Sequence, residues 1–276
     1  MRTFPKPSRP LLRYHGGKWR LAEWIISHFP KHRVYVEPFG GGASVLLQKP
    51  MASTEIYNDA DGEVVELFRV LRDPEQAAEL KRRLILTPFA RGEYEAAYEL
   101  ADTAVERARR TIVKSFMGMG SKAIWRKSGF DTRVNPEGFI SRVNSFAAVA
   151  DTLDVIVERL RRVVIEEGCG LELIQRHRER ADALFYVDPP YLRSTYGGER
   201  IYRKTIGDED HRRMGEALRE VAGAVVVSGY ASDLYDRELF PDWRRVELAT
   251  LADGGTARTE CLWLSPRVEL QRDLFS

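Results

Sequence analysis

Short apolar runs and segments of helical spacing alternate in the opening part of the chain. The runs at residues 33–36 and 55–58 have the length of buried strands, and each ends at a polar or glycine-rich turn. Residues 43–48 and 63–72 follow these runs, and their apolar side chains recur every three or four positions, which predicts two helices. A β-α-β-α order of this kind is how a doubly wound parallel sheet begins.

The alternation of strands and helices stops after residue 72. Helical spacing then covers three segments, with a loop rich in Gly, Lys and Arg among them: residues 75–86, 93–116 and 140–160, and the loop at 118–138. We therefore predict a helical insertion, residues 73–162, within a domain that is made of residues 1–72 and 163–276.

Five further apolar runs predict the rest of the sheet. They lie at residues 163–165, 184–187, 224–228, 245–249 and 260–264, with helices expected at 171–180 and 208–221. Only residues 250–259 join the last two strands, so these strands should pair antiparallel. The predicted fold class is therefore α/β, a Rossmann-like sheet that is mostly parallel, with an antiparallel last strand and a helical insertion.

Composition is typical of a soluble globular protein. The 276 residues are 43% hydrophobic and 30% charged, and no apolar run approaches the roughly 20 residues that cross a bilayer. Cys169 and Cys261 lie far apart and no secretory signal is evident, which favours reduced thiols and a cytoplasmic location. The five histidines lack metal-ligand spacing, so we expect no metal site.

A glycine-rich turn, Glu37-Pro38-Phe39-Gly40-Gly41-Gly42, follows the first predicted strand. Ligands bind at the carboxyl ends of the strands in such sheets, and glycine lets a ligand approach the backbone closely. A plain tight turn before a helix is the alternative. A dinucleotide fingerprint would require a third glycine where this chain has Val45, which argues against a pyrophosphate site.

Asp59 ends the second predicted strand. An acid at this position of a nucleotide-binding sheet accepts hydrogen bonds from ribose hydroxyls. Because Asp59 and Asp61 both precede an apolar helix, Asp59 could instead cap that helix. We favour ribose binding, and the two roles are compatible.

The stretch Phe185-Tyr186-Val187-Asp188-Pro189-Pro190-Tyr191 is a buried strand that stops abruptly. Neither proline has an N–H group to continue a ladder, and each fixes its own φ angle. Asp188 precedes a proline and is held in an extended conformation. The strand therefore presents a carboxylate, two prolines and an aromatic ring in a stiff arrangement.

Four motifs occur along the chain in this order: Tyr14-His15-Gly16-Gly17-Lys18, Glu37-Pro38-Phe39-Gly40-Gly41-Gly42, Asn58-Asp59 and Asp188-Pro189-Pro190-Tyr191. Together they resemble the Dam-like DNA adenine-N6 methyltransferases, and residues 254–263 are similar to the closing hairpin of that family. The resemblance extends over nearly the whole chain, from Leu11 to Pro266. Asp-Pro-Pro-Tyr is its most specific element, because its chance occurrence in a chain of this length is roughly one in a thousand.

The resemblance implies S-adenosylmethionine as the methyl donor and double-stranded DNA as the substrate, with no metal. The residues implied in donor binding are Tyr14, Lys18, Glu37, Pro38, Phe39, Gly40, Gly42, Asp59 and Asp188, with Tyr14 and Lys18 over the donor and Asp59 on its ribose. The catalytic turn is Asp188, Pro189, Pro190 and Tyr191. The insertion would recognise the target sequence. An enzyme that methylates one base per event needs no second subunit, so we expect a monomer.

One position departs from the family. Many members have an acid that holds the adenine amine of the donor just before the strand that leads to Asp-Pro-Pro-Tyr. This chain has Cys169 there, with Glu166 and Glu167 just upstream. One of these glutamates or a backbone group could take that role.

The chemistry of amine methylation explains the catalytic turn. The exocyclic amine of adenine is a poor nucleophile because its lone pair is delocalised into the ring. The Asp188 carboxylate and the Pro189 carbonyl would accept hydrogen bonds from the two N–H groups, and the stiff prolines would hold both acceptors in place in advance. Tyr191 would offer a flat face to a base flipped out of the duplex.

A basic segment lies in the predicted insertion. Residues 103–145 contain nine Lys or Arg against three acids, whereas the whole chain has a net charge of +2. We predict a DNA-contacting surface that includes Lys122, Arg126, Lys127 and Arg133, with a solvated basic face as the alternative. A second basic and aromatic run, between Arg193 and Lys204, could close over the flipped base.

Other functions compatible with these motifs stay open. N4 of cytosine or adenine in RNA presents the same planar amine to the turn, and an inactive relative could retain DNA binding. A nicotinamide-dependent oxidoreductase is disfavoured by Val45. The position of the insertion between the glycine turn and the catalytic turn favours adenine in DNA.

Overall fold

Seven strands form one mixed sheet in the computed structural model, which describes residues 6–195, 206–251 and 257–273. The strands are β1 (Val34–Glu37), β2 (Thr54–Asp59), β3 (Val163–Glu167), β4 (Ala183–Val187), β5 (Ala224–Gly229), β6 (Arg244–Leu251) and β7 (Ala257–Leu264). Their order is β3-β2-β1-β4-β5-β7-β6. β1 pairs in parallel with β2 and β4, and β4 pairs in parallel with β5, whereas β7 is antiparallel to both β5 and β6. The predicted Rossmann-like methyltransferase sheet is confirmed.

The α-helices of the described residues follow the order of the chain. They are α1 (Ala22–Ser27), α2 (Gly62–Arg72), α3 (Pro74–Leu86), α4 (Arg91–Ala96), α5 (Ala104–Met117), α6 (Ser141–Ala147), α7 (Val149–Leu160), α8 (Gly170–His177), α9 (Asp208–Arg219) and α10 (Pro266–Asp273). Short 3-10 turns cover Ser121–Ile124 and Arg193–Thr195, and a π-helix covers Leu234–Leu239. Among the helices described, none combines the length and the apolar character that a membrane span requires.

The predicted helix at residues 43–48 is wrong. Ala43 has a φ of 53°, and the segment forms consecutive turns rather than a helix. A left-handed residue at the first position breaks the helical path, because a side chain clashes with the backbone in that conformation.

Two of the predicted helices are each interrupted. Residues 93–116 divide into α4 and α5, and the Thr103 side chain caps α5 by accepting a hydrogen bond from the Glu106 N–H at 3.3 Å. Residues 140–160 divide into α6 and α7 at Ala148. Apolar spacing gave the correct type of element in both cases but not the break, because a capping residue is compatible with the same periodicity.

The chain divides into two compact units. The first contains Met1–Trp19, Gly41–Gln48 and Asp61–Ile165, and the second contains the remaining residues. The segment predicted as an insertion, residues 73–162, therefore lies in the first unit, together with the N-terminal loop, the end of the glycine turn and α2.

Buried strands and helices form the core of the second unit. Val36, Phe185 and Val225 belong to one apolar cluster with Leu173 of α8 and Met214 of α9, and each of the five side chains is at most 1% exposed. Burial of each such side chain stabilises the fold by about 1.5–3 kcal/mol. Val36 and Val187 of this cluster directly precede the glycine turn and Asp188, so the cluster anchors the chain where both turns begin.

Candidate active site

The carboxyl ends of β1 and β2 are joined by the Asn58 side chain. Its Nδ2 donates to the Pro38 carbonyl at 2.8 Å and to the Gly168 carbonyl at 3.1 Å, and its backbone carbonyl accepts from the Gly40 N–H at 2.9 Å. Asn58 is 2% exposed. In the motif Asn58-Asp59 only the aspartate was predicted to bind a ligand. The asparagine is the residue whose hydrogen bonds connect the glycine turn to the segment after β3.

Two glycines in the second unit allow aromatic rings to lie against the backbone. A Cβ atom at Gly40 would lie 2.1 Å from Cε2 of Tyr57, which is fully buried. A Cβ atom at Gly170 would lie 2.6 Å from Cζ of Phe39. Both contacts require glycine because an added methyl group cannot be accommodated beside a packed ring.

The N-terminal motif lies in the first unit, where Tyr14 contacts the second half of the glycine turn. Gly41 has a φ of 47°, and a Cβ atom there would lie 2.8 Å from Cε1 of Tyr14. The Gly17 N–H donates to the Tyr14 carbonyl at 3.1 Å, and the Lys18 ammonium donates to the Gly16 carbonyl at 2.7 Å. Lys18 is 4% exposed, so the predicted donor-binding lysine is a buried, structurally fixed cation.

Asp61, and not Asp59, caps α2. The Asp61 side chain accepts a hydrogen bond from the Glu63 N–H at 3.2 Å. Asp59 is the last residue of β2 and is partly buried, and its backbone carbonyl accepts from the Gly168 N–H at 3.1 Å. The alternative role that the sequence left for Asp59 as the cap of this helix is therefore taken by its neighbour.

Cys169 follows the residue that binds the Asp59 carbonyl and is exposed at the start of α8. Glu166, one of the two acids upstream of it, forms an ion pair with Arg176 of α8. The Glu166 carboxylate is therefore engaged by Arg176. Cys169 directly follows Gly168, the residue whose N–H binds the Asp59 carbonyl.

Glu37 is buried at the end of β1 and is only 2% exposed. The Tyr35 hydroxyl donates to its Oε2 at 2.8 Å. Burial raises the pKa of Glu37 to about 8, and the negative charge of Asp188 adds to this effect, while the Tyr35 hydrogen bond opposes it. Glu37 is therefore a neutral carboxylic acid at pH 7.

A buried ion pair lies in the same unit. Lys49 Nζ is 2.6 Å from Glu55 Oε1, and both side chains are 1% exposed. The Lys49 ammonium also lies 4.3 Å from the centre of the Tyr35 ring, the same ring whose hydroxyl binds Glu37. Pairing of this kind compensates the cost of removing both charges from water.

The exchange Glu37→Gln is expected to remove a pH dependence of stability. The pKa of Glu37 in the folded protein, about 8, exceeds the ordinary value of 4.5. The unfolded chain therefore loses this proton first as pH rises, and stability falls between pH 4.5 and 8 by about 1.4 kcal/mol for each unit of pKa difference. Glutamine is neutral throughout and still accepts from Tyr35. Denaturant unfolding at pH 5 and pH 8 measures the difference.

The same exchange at Glu216, an exposed residue of α9, is the control for Glu37→Gln and should leave the pH dependence of wild type unchanged. A Glu37→Gln variant whose unfolding free energy still falls between pH 5 and pH 8 as steeply as that of wild type would contradict the assignment of a neutral acid.

The Asp188-Pro189-Pro190-Tyr191 turn begins where β4 ends. Asp188 is partly buried and Pro189 is buried, while Tyr191 is 7% exposed. The Tyr191 hydroxyl donates to the carboxylate of Glu260 on β7. Its ring contacts Tyr230 edge-on, with 4.8 Å between the ring centres. The ring is therefore fixed by two partners.

Strand order explains how these three residues meet. β5 lies beside β4 and pairs with β7, and Gly229 is opposite Cys261 in that pairing. Tyr230 directly follows β5, and Glu260 directly precedes Cys261. Sequence analysis missed both partners. The buried acid in an apolar strand, Glu260 at 3% exposure, is the signal that could have identified one of them.

A groove of about 580 Å³ adjoins this aromatic pair in the second unit. Tyr230, Thr195, Thr250 and Arg258 are among the residues that line it. Its volume is within the range of small-molecule sites, and it combines an aromatic ring with a cation and hydroxyl groups.

The residues predicted to contact DNA lie in the first unit. Lys122 belongs to the 3-10 turn, and Arg126 and Lys127 are exposed just after it. Arg133 is also exposed, but its guanidinium binds both carboxylate oxygens of Asp131, at 2.9 and 2.7 Å. Three of the four cations thus lie in one short segment, and the fourth is partly neutralised.

The positive charge of residues 103–145 is less available than the sequence count indicates. Arg107, Arg109 and Arg110 of α5 pair with Glu66, Glu93 and Glu106, and Lys114 pairs with Glu63 at 2.6 Å. Their acidic partners lie partly outside the counted segment. These four cations hold helices together, so the expected phosphate-binding charge is concentrated after α5.

The second basic and aromatic run lies mostly outside the described residues, because residues 196–205 are not among them. Residues 252–256 of the closing hairpin are outside them as well. Within the described part of the chain, no group of three or more His, Cys, Asp or Glu side chains could hold a metal ion.

Comparison with protein families finds one family to which part of this chain is similar. The model of the D12 class N6 adenine-specific DNA methyltransferases matches residues 14–101. This match includes the N-terminal motif, the glycine turn and Asp59.

Two curated relatives of this chain bear the name DNA adenine methylase. The protein from Vibrio cholerae (strain ATCC 39541) is 25% identical over 194 residues, which cover 67% of this chain and 66% of that protein. The protein from Escherichia coli (strain K12) is 34% identical over 67 residues, or 24% of each chain. The chain thus matches just under two thirds of the length of the first relative.

A solved structure, the rRNA methyltransferase aviRa from Streptomyces viridochromogenes, shares 12% identity with this chain, with a TM-score of 0.42 over 98% of this chain and 91% of the other. The fold assignment rests on the strand order described above and not on this likeness.

Proposed function

We propose that this chain transfers a methyl group from S-adenosylmethionine to N6 of an adenine flipped out of double-stranded DNA. The observation that carries the proposal is the fixed catalytic turn. Asp188 and the stiff prolines follow directly from a central strand, and Tyr191 is held by Glu260 and Tyr230. The match to the D12 class model and the names of the curated relatives support adenine in DNA as the acceptor.

The residues at the ends of β1 and β2 fit the methyl donor. The Gly40 backbone is held by the Asn58 carbonyl and packs against the Tyr57 ring, and Asp59 ends β2 without serving as the helix cap. We propose that Asp59 binds the ribose hydroxyls, that Glu37, Pro38, Phe39 and Gly42 line the donor, and that Tyr14 and Lys18 lie over it. When bound, the donor supplies an electrophilic methyl group.

The catalytic turn would prepare the amine for attack. The Asp188 carboxylate and the Pro189 carbonyl accept its two N–H groups, which favours a pyramidal nitrogen with an exposed lone pair. Both acceptors are positioned before the substrate binds, and such preorganisation lowers the barrier.

The first unit would supply DNA recognition, with residues 73–162 as the target-recognition segment. The exposed cations Arg126 and Lys127, with Lys122 beside them, are suited to backbone phosphates. The frame that carries them is rigid: Tyr98 donates its hydroxyl to the Ala123 carbonyl, and the Ser128 N–H donates to the Tyr94 hydroxyl at 3.0 Å. The groove beside Tyr230, with Arg258 on its wall, would accommodate part of the displaced nucleotide.

Transfer of labelled methyl from S-adenosylmethionine tests the function. Unmethylated duplex DNA, the same DNA as single strands, and RNA are each incubated with the protein and digested to nucleosides. Label in N6-methyladenine from duplex DNA supports the proposal. Label in N4-methylcytosine or in RNA would show that cytosine or RNA is the acceptor instead. No label in any acceptor would overturn the function.

Asp59→Ala is expected to weaken donor binding by about 10- to 100-fold, because a hydrogen bond to a charged group contributes about 1.5–3 kcal/mol. Calorimetric titration with S-adenosylmethionine measures the change. Asp61→Asn is the matched control, since asparagine also caps helices well and donor affinity should stay as in wild type. Equal donor affinity in Asp59→Ala and wild type would exclude the ribose role.

A further inference from the structure

A buried histidine lies in α9, whose Met214 packs in one apolar cluster with Val187 and Leu192, the residues on either side of the catalytic turn. His211 of α9 is fully buried, and its Nδ1 is 2.9 Å from the hydroxyl oxygen of Tyr235. The two rings are 5.7 Å apart at 63°. Tyr235 belongs to the π-helix and is 4% exposed. π-Helical turns are rare in proteins, and those that occur are often found at functional sites.

His211 Nε2, the second nitrogen of the ring, is buried and has no hydrogen-bond partner among the described residues. The Pro190 carbonyl is the backbone group whose interaction raises the pKa of this ring. Burial lowers the pKa of His211 to about 4, although Asp208, Asp210 and the Pro190 carbonyl oppose this shift. The ring is therefore neutral at pH 7 and carries one N–H group.

Tyr235 is also within the electrostatic reach of the turn. Burial raises its pKa, and the negative charge of Asp188 raises it further. The Tyr235 hydroxyl accordingly stays protonated and is able to donate a hydrogen bond. His211 and Tyr235 thus contact each other, and Tyr235 shares one apolar cluster with Val187 and Leu192, the residues on either side of the turn.

We propose that His211 and Tyr235 are positioning residues for the catalytic turn. In this arrangement the Tyr235 hydroxyl donates to Nδ1, which fixes the tautomer that carries hydrogen on Nε2, and this N–H group donates to the Pro190 carbonyl when the turn is in its catalytic conformation. The inference rests on the proposed function for its kinetic consequences, and on geometry for the tautomer.

The Pro190 carbonyl is an effective point from which to hold the turn. It belongs to the peptide that joins Pro190 to Tyr191, so its direction sets the path by which the chain enters Tyr191. Proline N atoms donate no hydrogen bonds, so the turn depends on its carbonyl groups for anchoring. Hydrogen bonds at catalytic sites are often long without substrate and shorten in the reactive complex.

Steady-state kinetics of three variants separates positioning from structural stabilisation. His211→Leu removes both ring nitrogens and is expected to lower kcat by about 10- to 100-fold while KM for DNA and donor affinity stay unchanged. His211→Gln retains an N–H group near Nε2 and should recover most of kcat. Tyr235→Phe removes the hydrogen bond that fixes the tautomer of His211. Its kcat should lie between those of wild type and His211→Leu.

His32 provides a matched control for these variants. It is another neutral histidine of the second unit, with a pKa of about 4, and its Nδ1 lies 2.8 Å from the Pro30 carbonyl. His32→Leu is expected to lower thermal stability but not kcat. If His211→Leu likewise lowers only the melting temperature, or if His211→Gln is no more active than His211→Leu, the positioning role is overturned.

Nitrogen NMR of the wild-type histidines provides a second test that needs no activity. The proposal requires hydrogen on Nε2 and none on Nδ1 of His211, and signals for the opposite tautomer would overturn it even if His211→Leu fails to fold. A wild-type protein that transfers no methyl group would overturn the proposed function, while this measurement would still decide the tautomer.

Discussion

Asp188→Asn is expected to lower the rate of methyl transfer by about 100- to 1000-fold, the loss that follows removal of one preorganised group at a catalytic site. Asparagine has the same shape but replaces one carboxylate oxygen with an NH₂ group, which repels the target amine. Donor affinity should change by less than about tenfold, because the change removes one polar contact among several. Single-turnover transfer and calorimetry measure the two effects separately.

The control for Asp188→Asn is Asp182→Asn at the other end of β4. Asp182 is exposed, and its backbone carbonyl, which the substitution keeps, accepts from the Arg33 N–H at 3.0 Å. Its methyl-transfer rate should equal that of wild type. An Asp188→Asn variant that transfers methyl groups at the wild-type rate would mean that the turn is not where the reaction takes place.

Gly40→Ala is expected to lower the free energy of unfolding by about 1–3 kcal/mol, because overpacking of a filled core costs this much. The added Cβ atom would lie 2.1 and 2.4 Å from two ring carbons of Tyr57, whose ring is fully buried and has no space to move. The glycine turn must shift instead, so donor binding should weaken as well. Denaturant unfolding and calorimetric titration measure both changes.

Gly168→Ala is the matched control for Gly40→Ala. Gly168 also lies at the strand ends, where it binds Asp59 and Asn58 through its backbone, but an added Cβ atom there meets nothing within 4 Å. Stability and donor affinity should therefore remain close to those of wild type. Comparable losses in the two variants would show that glycine is required for backbone conformation and not for the contact with Tyr57.

The sequence was sufficient to predict the sheet and the position of its motifs. Apolar runs and their turns identified all seven strands, because buried strands leave a strong signal and proline or glycine marks where they end. The short connection between β6 and β7 correctly predicted their antiparallel pairing. The Asp188-Pro189-Pro190-Tyr191 turn follows β4 as its prolines require.

What the sequence could not predict depends on contacts between distant residues. Nothing local distinguishes Asp61 from Asp59 as the cap of α2, and the left-handed conformation of Ala43 has no local signature. Glu260 meets Tyr191 only because β7 lies beside β5. Counting charges also misjudged the basic segment, since the partners of Arg107 and Lys114 lie on α2.

The position of β7 in the sheet limits the order in which this protein can fold during its synthesis. β6 is synthesised before β7, yet its neighbour in the sheet is β7, so β6 cannot join the sheet until the later strand has left the ribosome. The same strand brings Glu260 to Tyr191. A nascent chain that lacks β7 therefore carries an unfinished sheet edge and leaves Tyr191 without its anchor. The turn proposed to carry the reaction is completed only when the last strand of the sheet has been made, after the other six.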